Sequence, residues 1–266
     1  MTTTDVGSHN LVADHALLLD AVREAGALAL KYFRTDVESW NKAPDNPVSE
    51  ADLAVDKLLR DKLIAARPGY GWLSEETPDT QDRRTRSQVW IVDPIDGTRA
   101  FLRGTPQFAV SAALIVDEHP VLGAVFNPAQ KEMFEAIIGG GARLNGTPIE
   151  VSASTDPTKA RLLSSKETFR NHNWPEVAKG AEFHFVNSMA YRMAVVASGR
   201  FDATITTTKK CEWDIAAAHL IVEEAGGCVT NIDGTSITYN SERAHTDNVL
   251  CAGKKLHDVL LAGLKG

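Results

Sequence analysis

The sequence has few cysteines, and their spacing suggests no covalent or metal-based framework. The three cysteines, Cys211, Cys228 and Cys251, are odd in number and never form a CxxC pair. This argues against a disulfide scaffold and against a zinc site. Sparse, unpaired cysteines are typical of proteins in a reducing compartment, so we expect a cytoplasmic location.

Long apolar runs and basic runs are also missing. No stretch approaches the ~20 apolar residues of a membrane span, and the first ten residues, MTTTDVGSHN, lack the basic and apolar regions of a signal peptide. The formal net charge is -7, which argues against a general nucleic-acid or membrane-surface role. The excess acid is explained either by a solvated surface or, in part, by a cation site.

The length of 266 residues suits one large domain or two closely packed lobes. The sequence shows no internal repeat and no low-complexity segment. The best candidate for a boundary is SASTDPTKA at 152–160. We therefore predict a metal-binding α+β lobe over residues 1–153 and an α/β lobe over residues 154–266, which together form one compact unit.

The first half of the chain predicts two helices followed by a β-meander. Apolar residues recur at helical spacing over residues 10–33, and Ser49 opens a second helix that ends at an RPG sequence. The segment VESWNKAPDNP between them predicts a loop. A short strand, Gly71–Leu73, precedes two glutamates, and Val89–Val92 opens a series of apolar runs separated by turns, which indicates antiparallel strands.

The second half alternates strands and helices. The segments RLLSS, FDATITT, CVTNIDGT and NVLCAG predict strands, and SMAYRMAVVASGR, WDIAAAHLIVEEAGG and KLHDVLLAGL predict helices. Alternation of this kind favours a mixed sheet covered by helices. The predicted fold class is α/β, of the α+β kind.

Carboxylates stand at the ends of predicted elements rather than on exposed faces. In WIVDPIDGTRAF, Asp93 and Asp96 directly follow a buried strand, where an uncompensated charge is costly. No histidine or cysteine accompanies them, and oxygen donors alone are the ligands that Mg²⁺ prefers. Several carboxylates near one point suit a multi-metal site for phosphoryl transfer. The other carboxylates at element ends are Asp52, Glu75, Glu76 and Asp214.

Gly97 and Thr98 add a candidate anion-binding element to this motif. If a helix begins there, its free backbone N–H groups can hold a phosphate. Gly97 lets the backbone come close, and the Thr98 hydroxyl can hold a water. Carboxylates for a metal beside N–H groups for a phosphate predict metal-assisted hydrolysis of a phosphate ester.

These acidic residues also have purely structural interpretations. Ser49 and Asp52 fit a capping box, and Asp214 fits a simple N-cap at the start of its helix. Glu76 is better explained as solvated than as a metal ligand. DPxDGT alone is compatible with a tight turn, although two carboxylates directly after an apolar strand favour a functional site.

Two long motifs resemble the paired signatures of the inositol monophosphatase family: DPIDGT at 93–98 and WDIAAAHLIVEEAGG at 213–227. SEE at 74–76 and VSEAD at 48–52 match its upstream acidic segments in order and rough spacing. The resemblance covers nearly the whole chain. It implies a Mg²⁺-dependent, lithium-sensitive phosphomonoesterase, often homodimeric, with a layered αβαβα fold. In that fold the first lobe holds an antiparallel sheet and the second a mixed sheet.

The resemblance also implies roles for single residues. Glu75, Asp93 and the Ile95 carbonyl would bind a first metal, and Glu75 would also support a third, weaker one. Asp93 would bridge to a second metal. Asp52 and Thr98 would orient and deprotonate the attacking water. Glu75 is also assigned to the catalytic residues. Asp96 and Asp214 would bind the second metal. The backbone N–H groups of Gly97 and Thr98 would bind the phosphate. The expected cofactor is Mg²⁺, with two or three ions per site.

The stretch before the WD motif departs from the form of inositol-preferring members. Those enzymes carry a glutamate there, whereas DATITTTKKCEWD has Lys209 and Lys210, with Glu212 as the only acid between Asp202 and Asp214. Two lysines beside the leaving group would suit a substrate with a second phosphate. The best prediction is a 3'(2'),5'-bisphosphate nucleotidase, with Lys209, Lys210 and Glu212 contacting the substrate.

Other functions stay open at this point. An inositol-1-monophosphatase and a histidinol-phosphatase are the alternatives within the family, since DGTRAF is also seen in the histidinol-phosphatase branch, and the lysines fit a solvated loop equally well. A non-catalytic regulatory homologue is the alternative from another class. Such a copy should have lost carboxylates, and every expected one is present. The expected partners are a small phosphorylated substrate and a second copy of the chain, without nucleic acid or membrane.

Overall fold

The computed structural model describes residues 11–44, 46–171 and 176–265. The predictions of no signal peptide and of a helix start at Asn10 fall outside these residues. The predicted first helix is otherwise confirmed, as is the second, which has Ser49 as its N-cap. The helices within the described residues are α1 (Leu11–Tyr32), α2 (Glu50–Ala66), α3 (Thr98–Leu102), α4 (Lys166–Asn171), α5 (Met189–Ala197), α6 (Glu212–Glu224) and α7 (Lys254–Lys265).

The strands in the described part of the chain form two large sheets and two short ribbons. They are β1 (Ser39–Ala43), β2 (Asn46–Ser49), β3 (Gly71–Ser74), β4 (Gln88–Asp96), β5 (Ala109–Val116), β6 (His119–Asn127), β7 (Glu132–Ile137), β8 (Ala142–Leu144), β9 (Thr147–Pro148), β10 (Arg161–Leu163), β11 (Glu182–His184), β12 (Ala203–Thr206), β13 (Lys210–Cys211), β14 (Gly227–Thr230), β15 (His245–Thr246) and β16 (Val249–Gly253).

The first large sheet has seven strands in sequence order from β3 to β9. β3 and β4 are parallel, and each later pair is antiparallel, which confirms the predicted meander. Helices α1 and α2 cover one face of this sheet. Their apolar stripes, with Leu18, Val22 and Leu59, pack on Trp90 and Leu114 of the central strands. Burial of these side chains is the main contribution holding the outer layer in place.

The second large sheet is mixed, as predicted, with the order β11–β10–β12–β16–β14. β10 runs parallel to β11 and β12, whereas β16 is antiparallel to β12 and β14. Helix α7 covers its outer face, where Leu256 and Leu260 pack with Leu162 and Leu250. Each side of this sheet is therefore buried.

Helices α5 and α6 form the middle layer between the two sheets. Val196 and Ile215 share one core with Val125 of the first sheet and Val249 of the second. A Cβ on Gly123 of β6 would lie 2.5 Å from the Ala217 carbonyl oxygen, so glycine lets α6 pack directly on the sheet. The result is the expected αβαβα layering. Residues on both sides of the 152–160 segment belong to the same core cluster. The division of the chain into two lobes stays a prediction.

The prediction of a loop over residues 37–47 is wrong, because this segment forms most of the antiparallel β1–β2 hairpin. All five β1 residues are exposed, so no alternation of apolar and polar residues marked the strand. Pro47 is tolerated because the ribbon has only two strands and a proline at an edge costs no essential ladder bond. The hairpin carries Lys42 and Pro47 to the site described below.

The three cysteines are free thiols, in agreement with the absence of a disulfide framework. No helix in the described ranges is long and apolar enough to cross a membrane.

Candidate metal and phosphate site

Three carboxylates from two distant segments come together at the end of β4. Oxygen atoms of Asp93, Asp96 and Asp214 lie within 4.8 Å of one another. Residues three apart in a regular strand face opposite sides of the sheet. Here the pairing register shifts between Asp93, opposite Ser111, and Asp96, opposite Ala109. This irregularity, like a β-bulge, re-aims the chain so that both aspartates reach one cluster.

Helix N-termini surround the cluster and hold its carboxylates. Asp96 Oδ2 accepts hydrogen bonds from Ser188 Oγ at 2.6 Å and from the Ala190 N–H at 2.5 Å, at the start of α5. Asp214 Oδ2 accepts the Cys211 N–H at 3.1 Å, at the start of α6. The interpretation of Asp214 as a simple N-cap is wrong: Cys211 is the N-cap of α6, and Asp214 is the third residue of the helix, whose carboxylate accepts the N-cap N–H as in a capping box. Helix N-termini favour nearby negative charge, which offsets part of the repulsion among the aspartates.

The electrostatics of the cluster favour a bound cation. Burial raises the pKa of Asp93 well above its usual range, and the charges of Glu75, Asp96 and Asp214 raise it further. Burial also raises the pKa of Asp214 to about 8, with Asp96 and Glu75 adding to the shift. Burial raises the pKa of Asp96 against the opposing hydrogen bonds from Ser188 and Ala190. Hard oxygen donors, crowded and buried, fit a divalent cation that would neutralise them.

Asp52 serves a helix cap and the site at the same time. Its Oδ2 accepts hydrogen bonds from the Ser49 N–H at 2.8 Å and from Ser49 Oγ at 2.5 Å. Its Oδ1 lies 3.1 Å from Thr98 Oγ1, which can donate to it or to the Ile95 carbonyl at the same distance. Burial raises the pKa of Asp52, and the bonds from Ser49 and Thr98 oppose that shift. The capping and catalytic interpretations of this residue are compatible.

The short helix α3 begins where the phosphate element was predicted. Gly97 is its N-cap, with φ of 96° in the left-handed region. A Cβ at this position would lie 2.8 Å from the Gln107 carbonyl oxygen, so both the conformation and the space require glycine. Gly97 and Thr98 line the same cavity as Asp93.

Glu75 lies at this cavity, but in the structure its contact is a lysine. Lys42 Nζ is 3.0 Å from Glu75 Oε1 and 2.7 Å from Glu76 Oε1. The expectation of a solvated Glu76 is wrong, because its side chain is only 3% exposed. Burial raises the pKa of Glu76 to about 7, and the hydrogen bond from Lys42 opposes the shift. Sequence reasoning missed Lys42 because the hairpin that carries it was taken for a loop.

The three predicted substrate contacts have different positions. The cavity, of about 440 Å³, is lined by Lys210. Lys209 is exposed and outside that lining. Glu212 also lies outside it and is 2% exposed. Its carboxylate accepts the N–H groups of Asn240 at 2.7 Å and Ser241 at 2.9 Å. The geometry supports Lys210 as a substrate contact and gives Lys209 and Glu212 no such position.

Several lining residues had no sequence signal as site residues. Apart from Arg99, which directly follows Thr98, they come from the turn after β10, from α4, from the β11–α5 connection and from α5, far along the chain from DPIDGT. Ser188, which contacts Asp96, had a sequence signal, because a serine at the start of a predicted helix is a candidate N-cap. Its Oγ accepts the Tyr191 N–H at the start of α5. The lining residues outside the predicted set include Arg99, Ser164, Ser165, Thr168, Phe185 and Arg192.

Comparison with known proteins agrees with this geometry. The family model described as "Inositol monophosphatase family" matches residues 13–265. A histidinol-phosphatase of Chlorobaculum parvum is 33% identical, over 87% of this chain and 91% of its own. An inositol-1-monophosphatase of Rhizobium meliloti is 35% identical, over 82% and 85%. A 3'(2'),5'-bisphosphate nucleotidase CysQ of Aggregatibacter actinomycetemcomitans is 29% identical, over 85% and 87%.

Among solved structures, the extragenic suppressor protein suhB of Bartonella henselae superposes with a TM-score of 0.83 and 29% identity, covering 95% of this chain and 98% of that one. The layered fold and the clustered carboxylates define a phosphomonoesterase of a metal-dependent class. The chain belongs to the inositol monophosphatase family. The family and fold implied by the sequence motifs are thereby confirmed.

Proposed function

We propose that this chain is a Mg²⁺-dependent phosphomonoesterase that removes a phosphate from 3'(2'),5'-bisphosphate nucleotides. One observation carries the catalytic part of the proposal: the cluster of the buried Asp93 and Asp96 with the partly buried Asp214 opens on the same cavity as Thr98, which contacts Asp52. That arrangement places cation ligands beside a group able to handle the proton of a nucleophilic water.

The residues have distinct roles in this mechanism. The three clustered aspartates, with Glu75 and the Ile95 carbonyl, would hold Mg²⁺, which supplies electrostatic stabilisation of the transferring phosphoryl group and makes a bound water more acidic. Thr98 Oγ1 has two acceptors within 3.1 Å, Asp52 and Ile95. When it donates to Asp52, its lone pairs are free to accept a hydrogen bond from the attacking water. Asp52 then takes the proton through Thr98 as general base. The N–H groups of Gly97 and Thr98 would hold the phosphate.

The charge of the cavity wall supports the choice of substrate. Arg99, Arg192 and Lys210 line it, and the acids in its described lining are all predicted metal ligands. A second phosphate would meet cations there. The protonated amine of histidinol phosphate would find no carboxylate outside the metal cluster. Inositol hydroxyls would likewise lack the acidic partner expected in the loop before Asp214.

A phosphate-release assay tests the proposal. We expect turnover of 3'-phosphoadenosine 5'-phosphate with Mg²⁺, less of inositol 1-phosphate, histidinol phosphate and fructose 1,6-bisphosphate, and inhibition by millimolar Li⁺. Asp93→Asn should abolish turnover, because it removes one of the three clustered charges that would hold Mg²⁺. Full turnover in excess chelator would overturn the metal mechanism, and a preference for inositol 1-phosphate would overturn the substrate assignment.

The family resemblance also supports a homodimer with two or three Mg²⁺ ions per site, and the sparse, unpaired cysteines support a cytoplasmic location. Light scattering of the protein as it elutes from a size-exclusion column measures the mass of the assembly. Titration calorimetry with Mg²⁺ counts the metal sites. A monomer at micromolar concentration, or a single Mg²⁺ site, would contradict these assignments.

A further inference from the structure

A large aromatic ring stands at the rim of the otherwise polar cavity. Phe185 lies in the connection between β11 and α5, is 64% exposed, and lines the cavity. The other lining side chains are mainly charged or hydroxyl-bearing. An exposed aromatic residue beside such groups has a natural use in contacting an apolar or aromatic part of a ligand.

The ring is stacked against a cation from the next helix. The Arg192 guanidinium carbon of α5 lies 5.4 Å from the Phe185 ring centroid. Arg192 Nη2 donates to the Val186 carbonyl at 2.5 Å, which ties the guanidinium to the same connection. Its Nε is buried and has no hydrogen-bond partner among the described residues. The arginine also lines the cavity, so a ligand with an acceptor can meet its remaining donors.

Other parts of the cavity wall are hydrophilic. Ser165 Oγ and Thr168 Oγ1 are 3.0 Å apart, as are the hydroxyls of Thr206 and Thr208. Lys210 belongs to the same wall as these residues. The cavity therefore combines a flat aromatic surface backed by a cation with hydroxyls and an ammonium group. A nucleotide has the matching parts: an aromatic base, ribose hydroxyls and an additional phosphate. A polyol phosphate has no flat ring to stack.

We propose that Phe185 and Arg192 form a platform that stacks the base of a nucleotide substrate and so determine the specificity of this site. The proposal rests on the proposed function and narrows its substrate class to nucleotides whose base occupies the cavity rim. Phe185 contributes the stacking surface, and Arg192 fixes the ring and offers hydrogen-bond donors to the base or ribose. Stacking of a base on an aromatic side chain tolerates different bases, so adenine and other bases should be accepted alike.

Phosphate esters with and without a base provide the test. In Mg²⁺, Phe185→Ala should lower kcat/KM for 3'-phosphoadenosine 5'-phosphate and for 3'-AMP by about tenfold, the loss expected for one stacked base. Inositol 1-phosphate and glycerol 2-phosphate should be unaffected. Phe185→Trp should retain the nucleotide activity. Calorimetry should show weaker binding of adenosine 5'-phosphate, the expected product, to Phe185→Ala. Arg192→Lys, which keeps the charge but loses the planar group, should show a smaller loss confined to the two nucleotides.

Ile138→Ala is the matched control, since Ile138 is 52% exposed and lies outside the cavity lining. This variant should leave kcat/KM unchanged for every substrate. An equal loss of kcat/KM on all four substrates, or no loss on any of them, would overturn the platform. The proposed phosphatase function would still stand. A changed molecular mass for Phe185→Ala in light scattering would also overturn it, by showing that the ring covers a subunit contact. If wild-type protein hydrolyses only the two base-free substrates, the platform is wrong. If it hydrolyses none of the four with Mg²⁺, the proposed function itself fails.

Discussion

Asp52, Asp96 and Asp214 each give one carboxylate oxygen to the N-terminus of a helix, α2, α5 and α6 respectively. Such contacts are usually read as structural only. Here they fix the orientation of carboxylates that also line or adjoin the cavity. A side chain with its rotation restrained loses less entropy when it binds a ligand. Capping and catalysis thus support one another at these positions.

Asp52→Asn separates the two roles of Asp52. The amide oxygen can still accept the hydrogen bonds of Ser49, so the melting temperature should change little. The amide cannot take a proton, so kcat should fall by ~10²–10⁴, because Asp52 is the proposed general base. Thermal denaturation and steady-state kinetics on the same preparation check both parts.

Ser49→Ala is the converse variant. It removes the hydroxyl bond to Asp52 but leaves the Asp52–Thr98 contact, so it should cost about 1 kcal/mol of stability while most activity remains. An Asp52→Asn protein that melts early yet turns over normally would show that Asp52 is only a cap.

Lys210 and Lys209 form a matched pair of neighbours with different surroundings. Lys210→Ala should weaken kcat/KM for 3'-phosphoadenosine 5'-phosphate by about ten- to a hundredfold, since a hydrogen bond to a charged group contributes roughly 1–3 kcal/mol. Lys209→Ala should have no effect, because that side chain is exposed and outside the cavity lining. Inositol 1-phosphate should be insensitive to both changes.

Salt dependence provides a second readout for the same pair. Raised salt should erode the bisphosphate preference of the wild type, because exposed charge contacts are screened. If Lys210→Ala instead lowers kcat/KM equally for both substrates, the change acts through folding or through the electrostatic field of the whole protein.

At the scale of elements, the site depends on how β4 ends and α3 begins. The register irregularity between Asp93 and Asp96 and the left-handed Gly97 occur within five residues. Together they turn the chain from a buried strand into a helix whose first residues face the cavity. A regular strand followed by a conventional turn would separate the two aspartates.

Gly97→Ala should damage this connection in two ways. The backbone has φ of 96°, and a Cβ would lie 2.8 Å from the Gln107 carbonyl oxygen. We expect a loss of about 1–3 kcal/mol in the free energy of unfolding together with a lower kcat, because the neighbouring Thr98 would shift. Denaturant unfolding and kinetics measure the two effects.

Gly139→Ala is the control for backbone strain alone. Gly139 also has a positive φ of 71°, but a Cβ there would meet nothing within 4 Å. It should show a smaller loss of stability and a normal kcat. Equal effects of the two changes on kcat would mean that Gly97 does not position the site.

At the scale of the whole molecule, the αβαβα layering brings distant segments to one point. The end of β4 belongs to the first sheet, whereas α5 and α6 lie between the sheets. Their N-termini meet the carboxylates at this junction, where burial raises the pKa of several of them at once. The fold therefore holds a site that is electrostatically unfavourable until a cation binds.

This predicts a coupling between pH, Mg²⁺ and global stability. In the metal-free protein the aspartates have raised pKa values, so the native state binds more protons than the unfolded state. Stability should then fall as pH rises from about 4, the ordinary pKa of an aspartate carboxyl, towards about 8, the pKa of Asp214 in the folded protein. Mg²⁺ should remove most of this loss, because it binds the native state.

Melting temperatures across this pH range, with Mg²⁺ and with chelator, check the coupling. Asp214→Asn should melt higher than wild type in chelator near pH 8, since one buried charge is gone, while its activity is lost. An unchanged melting temperature in chelator across the range, or a lower one for Asp214→Asn, would contradict the coupling.

The sequence by itself determined the features that depend on neighbouring residues. Hydrophobic periodicity and caps predicted α1, α2 and the meander, and the DPIDGT and WD motifs marked the carboxylates and the start of α3. These are local: a strand, a helix start or a glycine turn is selected by residues a few positions apart. The family and its phosphatase chemistry followed from the same motifs.

Only the tertiary structure decided which distant residues share the site. It brought Lys42 to Glu75, placed Lys210 in the cavity but not Lys209, and bonded Glu212 to the backbone of residues 240 and 241. It also set Phe185 against Arg192 at the rim. Such contacts depend on how sheets and helices pack, because residues far apart in the chain meet only when the buried apolar faces fix the orientation of each layer.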